Sequence, residues 1–313
     1  MSNELVMSKK IINIGKFANI DVNLEILIVN PSRKPRIAIV TGIHGNETSG
    51  LLIIHELLQR IQSLKGQLSI VAFSNPIATL MGRRVGTDFL DLNRVFPGKK
   101  NGTITERIAW KLSRFLLKQD FVIDLHTFDV ITPIMGIFMD TGSEKVRKRS
   151  LEMLEVFSPD VIWNLKPVKG KEKIFFSALG PFLARNGIPN FAVEMNQLEI
   201  LTNREIEKVV NGILNVFNKL DSGEEKHELK RVLIVDRKEF RSEKTGVFIP
   251  LLLPLNTIRK GQIIGRIINV EKFGSENVIS PEDGILIQIS PKRFVKTGDL
   301  LFSIGKEIRA LGR

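Results

Sequence analysis

Two short stretches carry the residue types of a metal centre. Gly42-Ile43-His44-Gly45-Asn46-Glu47 follows an apolar run and opens an amphipathic one. In open α/β sheets the carboxyl ends of strands face the ligand crevice, and an imidazole and a carboxylate three residues apart at such a turn can converge on one ion. Phe121-Val122-Ile123-Asp124-Leu125-His126 is a second apolar run that ends in histidine. Zinc accepts nitrogen and oxygen at about 2.0–2.2 Å, and a catalytic site holds it with three protein ligands while the fourth position stays open for water. His44, Glu47 and His126 meet that requirement. Asp124 precedes His126 by two residues, so it shares its face of the strand, where it can anchor an imidazole or a neighbouring main-chain group. A His-x-x-Glu pair alone recurs by chance, and His44 read by itself is equally a capping or loop histidine. The Asp-Leu-His strand end is what lifts the pair above that background. Of the four histidines, His55 falls inside the first helical segment and His227 in a polar linker, and neither position suits a ligand.

Three further places offer chemistry. Asp91-Leu92-Asn93-Arg94-Val95-Phe96-Pro97-Gly98 is a polar stretch running into a turn. Arg94 presents a planar fork suited to a carboxylate, and Asn93 can hold a second polar group of the same ligand. Met81-Gly82-Arg83-Arg84 supplies more guanidinium, although surface pairing of these arginines with Asp88 and Asp91 is the simpler alternative. Glu194 ends the apolar run Pro189-Asn190-Phe191-Ala192-Val193. A carboxylate directly after a buried strand loses solvent, which raises its pKa and makes it a usable acid and base.

The elements that must position these groups follow from apolar periodicity. Strands are expected at Leu24–Val29, Arg36–Thr41, Leu68–Phe73, Phe121–Leu125, Ile134–Met139 and Asn190–Val193. Helices are expected at Glu47–Gln62, Thr103–Lys118, Glu144–Phe157, Ser177–Asn186 and Asn203–Leu220. Thr103 with Glu106 three residues on is a capping box ahead of Ile108, Ala109 and Leu112. The alternation describes an α/β sheet covered by helices. Near Asp221 the pattern changes: Asp221-Ser222-Gly223-Glu224-Glu225-Lys226 reads as a linker, followed by short β-type runs divided by turn residues. The expected organisation is a catalytic domain over residues 1–222 and a small all-β domain over 228–313. Segments 258–265 and 294–301 share an apolar, basic, Gly-polar, apolar layout, the pattern of two related hairpins.

Composition narrows the function classes. At 313 residues, 43% hydrophobic and 26% charged, the chain can bury a full core. With no cysteine it can form neither disulfides nor thiolate metal sites, which fits a reducing compartment. Met1 to Lys10 lacks the apolar core of a secretory signal, and no stretch reaches the roughly 18 apolar residues of a membrane span, so a cytoplasmic protein without a membrane partner is expected. The net charge of +12 favours anionic ligands. Its basic runs lack interleaved aromatics and the chain has no tyrosine, which argues against nucleic acid and leaves a small carboxylate as the partner.

Taken together, Gly42 to Glu47, Asp91 to Arg94 with Phe96-Pro97-Gly98, Asp124-Leu125-His126 and Val193-Glu194 resemble, in order and spacing, the succinylglutamate desuccinylase and aspartoacylase family, relatives of the zinc carboxypeptidases. The resemblance runs from about Arg36 to Asn196, and the small β domain is similar as well. It implies a mixed sheet flanked by helices, one zinc ion per chain on His44, Glu47 and His126, and Glu194 as general base and then acid. It implies that Asn93 and Arg94, with Arg83 nearby, grip the substrate carboxylate and that Arg84, or in its place Arg83, polarises the scissile carbonyl. The activity implied is deacylation of a small N-acyl amino acid by a zinc-activated water, with homo-oligomers as a possible assembly. Aspartoacylases also carry a second carboxylate-binding arginine and pocket tyrosines. Here that region reads Leu179-Gly180-Pro181-Phe182, Arg185 is out of place and tyrosine is absent, which argues against a doubly anionic substrate. Two other readings stand beside this one: trimming of a short peptide at its carboxylate, and a non-catalytic binding module.

Overall fold

The computed structural model describes residues 5–17, 19–222, 232–270 and 273–311. Eight strands precede the last helix: β1 (Met7–Phe17), β2 (Ile20–Val29), β3 (Arg36–Val40), β4 (Gln67–Val71), β5 (Phe121–Thr127), β6 (Met135–Met139), β7 (Val161–Leu165) and β8 (Asn190–Met195). The helices are α1 (Ser49–Arg60), α2 (Pro76–Leu80), α3 (Ile104–Leu116), α4 (Glu144–Phe157), α5 (Glu172–Phe176), α6 (Leu179–Arg185) and α7 (Asn203–Ser222). After them come β9 (Val232–Arg241), β10 (Gly246–Pro250), β11 (Thr257–Ile258), β12 (Ile263–Asn269), β13 (Ser275–Ile279), β14 (Gly284–Ile289), β15 (Arg293–Val295) and β16 (Leu300–Leu311).

The strands form a twelve-stranded mixed sheet in the order β1-β2-β4-β3-β5-β8-β6-β7-β9-β16-β14-β11 and a four-stranded antiparallel sheet β13-β12-β10-β15. Strands β4, β3, β5 and β8 run parallel at the centre. Side chains alternate across them. Phe121, Ile123 and Leu125 of β5 pack with α1, α4 and α7, whereas Val122 packs with α3 and α6 on the other face. Asp124 and His126 therefore share the face of Val122. The Thr103–Glu106 capping box forms at the start of α3.

Several elements differ from the sequence expectation. Helix α1 starts at Ser49, so His44 to Thr48 form the turn itself and Glu47 is not yet helical. The expected helix 177–186 is present as α6, two residues shorter at its start, and a separate short helix, α5, precedes it. Strand β1 has no counterpart in the expectation because its side chains are mostly exposed and carry no apolar stripe. Asp221 and Ser222 of the expected linker belong to α7, and its remainder and His227 lie outside the described residues.

The two layout-sharing segments are not hairpins. In 258–265 the chain leaves β11 of the large sheet and enters β12 of the small one, and in 294–301 it returns from β15 to β16. Their common pattern reflects a common task, a corner between sheets, and each turns at a glycine of positive φ, Gly261 and Gly298. Between the sheets lies an apolar cluster that includes Phe248, Ile258, Ile264, Ile289, Val295 and Phe302. An isolated bridge from Ile131 to Ile289 ties this region to the loop after β5.

Candidate active site

Three adjacent parallel strands deliver the chemistry at their carboxyl ends: β3 leads into His44, while His126 of β5 and Glu194 of β8 are the last residues but one of their strands. His44, Glu47 and His126 are 3%, 6% and 5% exposed, so their arrangement is enforced by packing. Gly45 is what allows the turn between the first two. A Cβ there would stand 2.0 Å from the carbonyl carbon of Ala78, so only glycine admits this approach to α2.

Glu47 lies between the two imidazoles. His44 Nδ1 is 2.6 Å from its Oε1 and His126 Nδ1 is 2.9 Å from its Oε2. The far nitrogens are held too: His44 Nε2 is 3.1 Å from Asp91 Oδ1, and His126 Nε2 is 2.8 Å from Asp124 Oδ2. A carboxylate can only accept, so Asp91 and Asp124 are placed to keep the proton of each ring on Nε2 when Nδ1 serves as a ligand. The two Nδ1 atoms and the Glu47 carboxylate face one another, with ligand atoms all within 4.8 Å. Carboxylates flank both rings, so the group calls for positive charge, which a divalent cation supplies, and one carboxylate with two imidazoles is a zinc-type donor set. The residues present fit a metal ion.

Electrostatics agree with this geometry. Burial opposes ionisation of Glu47, but the neighbouring His126 and His44 outweigh it and hold its carboxyl far below the usual range. Asp91 is likewise held low against its burial by His44, Arg84 and Arg94. Glu194 moves the other way: loss of solvent pushes its carboxyl up to about 7. Its Oε2 is buried with no hydrogen-bond partner.

Arg84 reaches into the centre, with Nη1 3.4 Å from Glu47 Oε1 and Nη2 3.0 Å from Asp91 Oδ2. The pairing with Asp91 that the sequence allowed as a surface contact is thus made beside the histidines. Asp88 instead accepts from the backbone N–H and hydroxyl of Thr105. Asn93 accepts the Leu179 backbone N–H at 2.8 Å, which leaves its Nδ2 as the free-standing donor of that side chain. Arg84, Asn93 and Arg94 line a cavity of about 420 Å³ together with the histidines and Glu194. Arg83 is exposed and does not line it. Arg185 stacks on Phe176, 4.4 Å from its ring centroid, and does not line the cavity either. His55 is exposed on α1.

Two participants escaped the sequence reading. Asp91 orients His44 as Asp124 orients His126, and the signal was its place in the same polar stretch as Asn93 and Arg94. Arg237 of β9 reaches the cavity from the C-terminal region, its side chain 6% exposed and its guanidinium 4.2 Å from the Trp163 ring centroid. Glu239 and Gln288 accept its hydrogen bonds.

Helices on both faces of a mixed sheet and a separate C-terminal antiparallel sheet give this chain the fold of the solved succinylglutamate desuccinylase and aspartoacylase structures. Residues 33–220 match the family model of the succinylglutamate desuccinylase/aspartoacylase catalytic domain, and the chain belongs to this family. It is similar to the N-alpha-acetyl-L-2,4-diaminobutyric acid deacetylase of Halomonas elongata, 27% identical over 308 residues that cover 93% of this chain and 88% of the relative. A shorter match joins it to a succinylglutamate desuccinylase of Yersinia enterocolitica, 28% identical over 39% of each chain. Among solved structures, the product-bound ectoine utilization protein EutE (DoeB) of Ruegeria pomeroyi shares the fold with a TM-score of 0.81 at 19% identity, covering 96% of this chain and 94% of that one.

Proposed function

We propose that this chain is a zinc-dependent amidohydrolase that removes the acyl group from a small N-acyl amino acid or a related carboxylate. One observation carries the reading: His44, Glu47 and His126 bring three metal-ligand atoms within 4.8 Å of one another in the cavity that also holds Glu194. Support comes from the deacetylase and desuccinylase named above, whose substrates are N-acyl amino acids.

His44, Glu47 and His126 would hold one zinc ion per chain, which would supply Lewis acidity and lower the pKa of a water toward about 7. Glu194, whose carboxyl pKa burial raises toward neutrality, in its ionised form takes a proton from the attacking water and returns it to the leaving amine. Arg84 offers its guanidinium to the developing oxyanion. Arg94 and the Asn93 amide hold the substrate carboxylate, which orients the amide before reaction. Asp124 and Asp91 fix the imidazole tautomers. Arg83 stands close in sequence but off the cavity wall, so Arg84 takes the carbonyl-polarising place.

We assign these roles to a catalytic domain of residues 1–222, with residues 228–313 as a small β domain that lends Arg237 to the wall. No helix among the described residues is long and apolar enough to cross a membrane. The absence of cysteine suits a cytoplasmic setting.

The deciding experiment pairs elemental analysis of chelator-free protein with a panel of N-acyl amino acids and dipeptides. About one zinc per chain and release of free amino acid from the acylated substrates are expected. Turnover of peptides alone would replace the deacylase by a carboxypeptidase-like enzyme, and no turnover of either after zinc loading would leave a binding module.

A further inference from the structure

The cavity extends beyond the His-Glu-His group, on the side of β8 away from β5. There its wall is a strip of apolar side chains from three neighbouring strands: Ala192 of β8, Ile137 and Met139 of β6, and Trp163 and Leu165 of β7. Strand register makes the strip continuous, since Ile137 stands opposite both Ala192 and Trp163, and Met139 opposite Leu165. The rim from the segment around α5 mixes apolar side chains with Lys171. Val168 and Ile174 line the cavity while 60% and 54% exposed.

The charges nearest the strip are matched within the protein. Arg237 is held by Glu239 and Gln288 over the Trp163 ring, and Lys166 Nζ is 3.6 Å from Asp236. Lys171 belongs to the exposed rim. A continuous apolar strip offers a second carboxylate no cationic partner of its own and gains by covering hydrocarbon.

We propose that this strip is a subsite for an apolar substituent of the substrate, an aliphatic or aromatic group of roughly four to eight carbon atoms, a size the cavity admits beside the scissile amide. The proposal rests on the deacylase reading and deepens it. The substituent belongs to the acyl chain or to the amino-acid side chain; the recognising chemistry is the same, and two arms of one experiment separate the sources.

In the first arm zinc-loaded protein is given N-acyl glycines from acetyl to octanoyl, with succinyl for comparison. In the second it is given N-acetyl derivatives of glycine, alanine, leucine and phenylalanine. In one arm kcat/KM rises at least about thirtyfold from the smallest substituent to the best one, a modest yield for burying several methylenes. Leu165→Gln, at the half-exposed end of the strip, reduces that preference about tenfold with zinc content unchanged. Val168→Gln on the exposed rim repeats the test should the first variant fail to fold. Flat profiles in both arms, or a preference for acetylglycine or succinylglycine, overturn the proposal.

If no acylated substrate is turned over, the deacylase reading fails and a binding measurement decides the subsite alone. The chain has two tryptophans, so Trp110→Phe leaves Trp163 as its single reporter. Hexanoate, leucine or phenylalanine should then shift Trp163 emission saturably, whereas acetate and glycine at the same concentrations should not. Equal response to all five, or to none, overturns the subsite.

Discussion

His126 and Glu194 stand opposite each other in direct register on the neighbouring parallel strands β5 and β8. Side chains so paired project from one sheet face about 4.8 Å apart at their strands. The inner imidazole and the carboxylate beside it are therefore fixed by backbone hydrogen bonding within the sheet. His44 and Glu47 come from a turn, and their placement depends on Gly45 and on the carboxylates behind the rings.

Glu194→Gln tests the acid–base role. The amide keeps the shape of the side chain but cannot accept and return a proton. Turnover should fall at least about a hundredfold, the usual scale for a removed acid–base group, with zinc content unchanged. Near-normal turnover in this variant removes Glu194 from the mechanism.

The pH dependence follows from the same carboxyl. Burial raises it from 4.5 to about 7, so it holds its proton at acid pH and becomes a base only as the pH climbs. A cation on His44, Glu47 and His126 attracts the carboxylate and lowers that midpoint. For the zinc-loaded enzyme kcat/KM should therefore rise with pH along an acid limb whose midpoint falls between 4.5 and about 7. A rate that declines with pH over this interval would falsify the assignment.

How much of this was legible in the sequence depends on where each residue sits. His44, His126 and Glu194 each follow an apolar run, and a polar residue at the end of a buried strand stands out against its neighbours. Asp91 was visible but ambiguous, because nothing local distinguishes a carboxylate that orients an imidazole from one that pairs with a surface arginine. Arg237 was not legible. It lies in Asp236-Arg237-Lys238-Glu239, an alternation of charges that reads as a solvated strand, and it is buried only because Trp163, Gln288 and Glu239 meet around it. The corner role of segments 258–265 and 294–301 was hidden for a related reason: local pattern reveals a turn but not which sheet receives the next strand.

Asp91→Asn tests the support of the metal centre. The amide can present its NH2 to His44 Nε2, which favours the wrong tautomer, and it removes the negative charge paired with Arg84. Zinc affinity should drop about 10–100-fold, the range found for lost partners of metal-bound histidines. Competition against a zinc-chelating dye measures it. Asp124→Asn should act likewise through His126, and unchanged affinity in both variants would mean that the rings are held by packing alone.

Gly45→Ala tests whether the turn that carries two of the three ligands tolerates a side chain. The added methyl would stand 2.0 Å from the Ala78 carbonyl carbon and 2.2 Å from its oxygen, and both are backbone atoms at the middle of α2 that no rotamer change can move aside. Relief requires the turn or α2 to shift, and a shift of the turn carries His44 and Glu47 apart from His126. Urea unfolding of the metal-free protein should show a loss of about 1–3 kcal/mol, as overpacking of a close-packed site does. Zinc affinity should fall as well. Glycine at 82, where an added Cβ meets nothing within 4 Å but φ is +57°, provides the control. There alanine strains the backbone without crowding the site, so stability should decrease while zinc affinity stays at the wild-type level. Equal loss of zinc affinity in both variants would show that general destabilisation, and not the approach of the turn to α2, governs the ligand geometry.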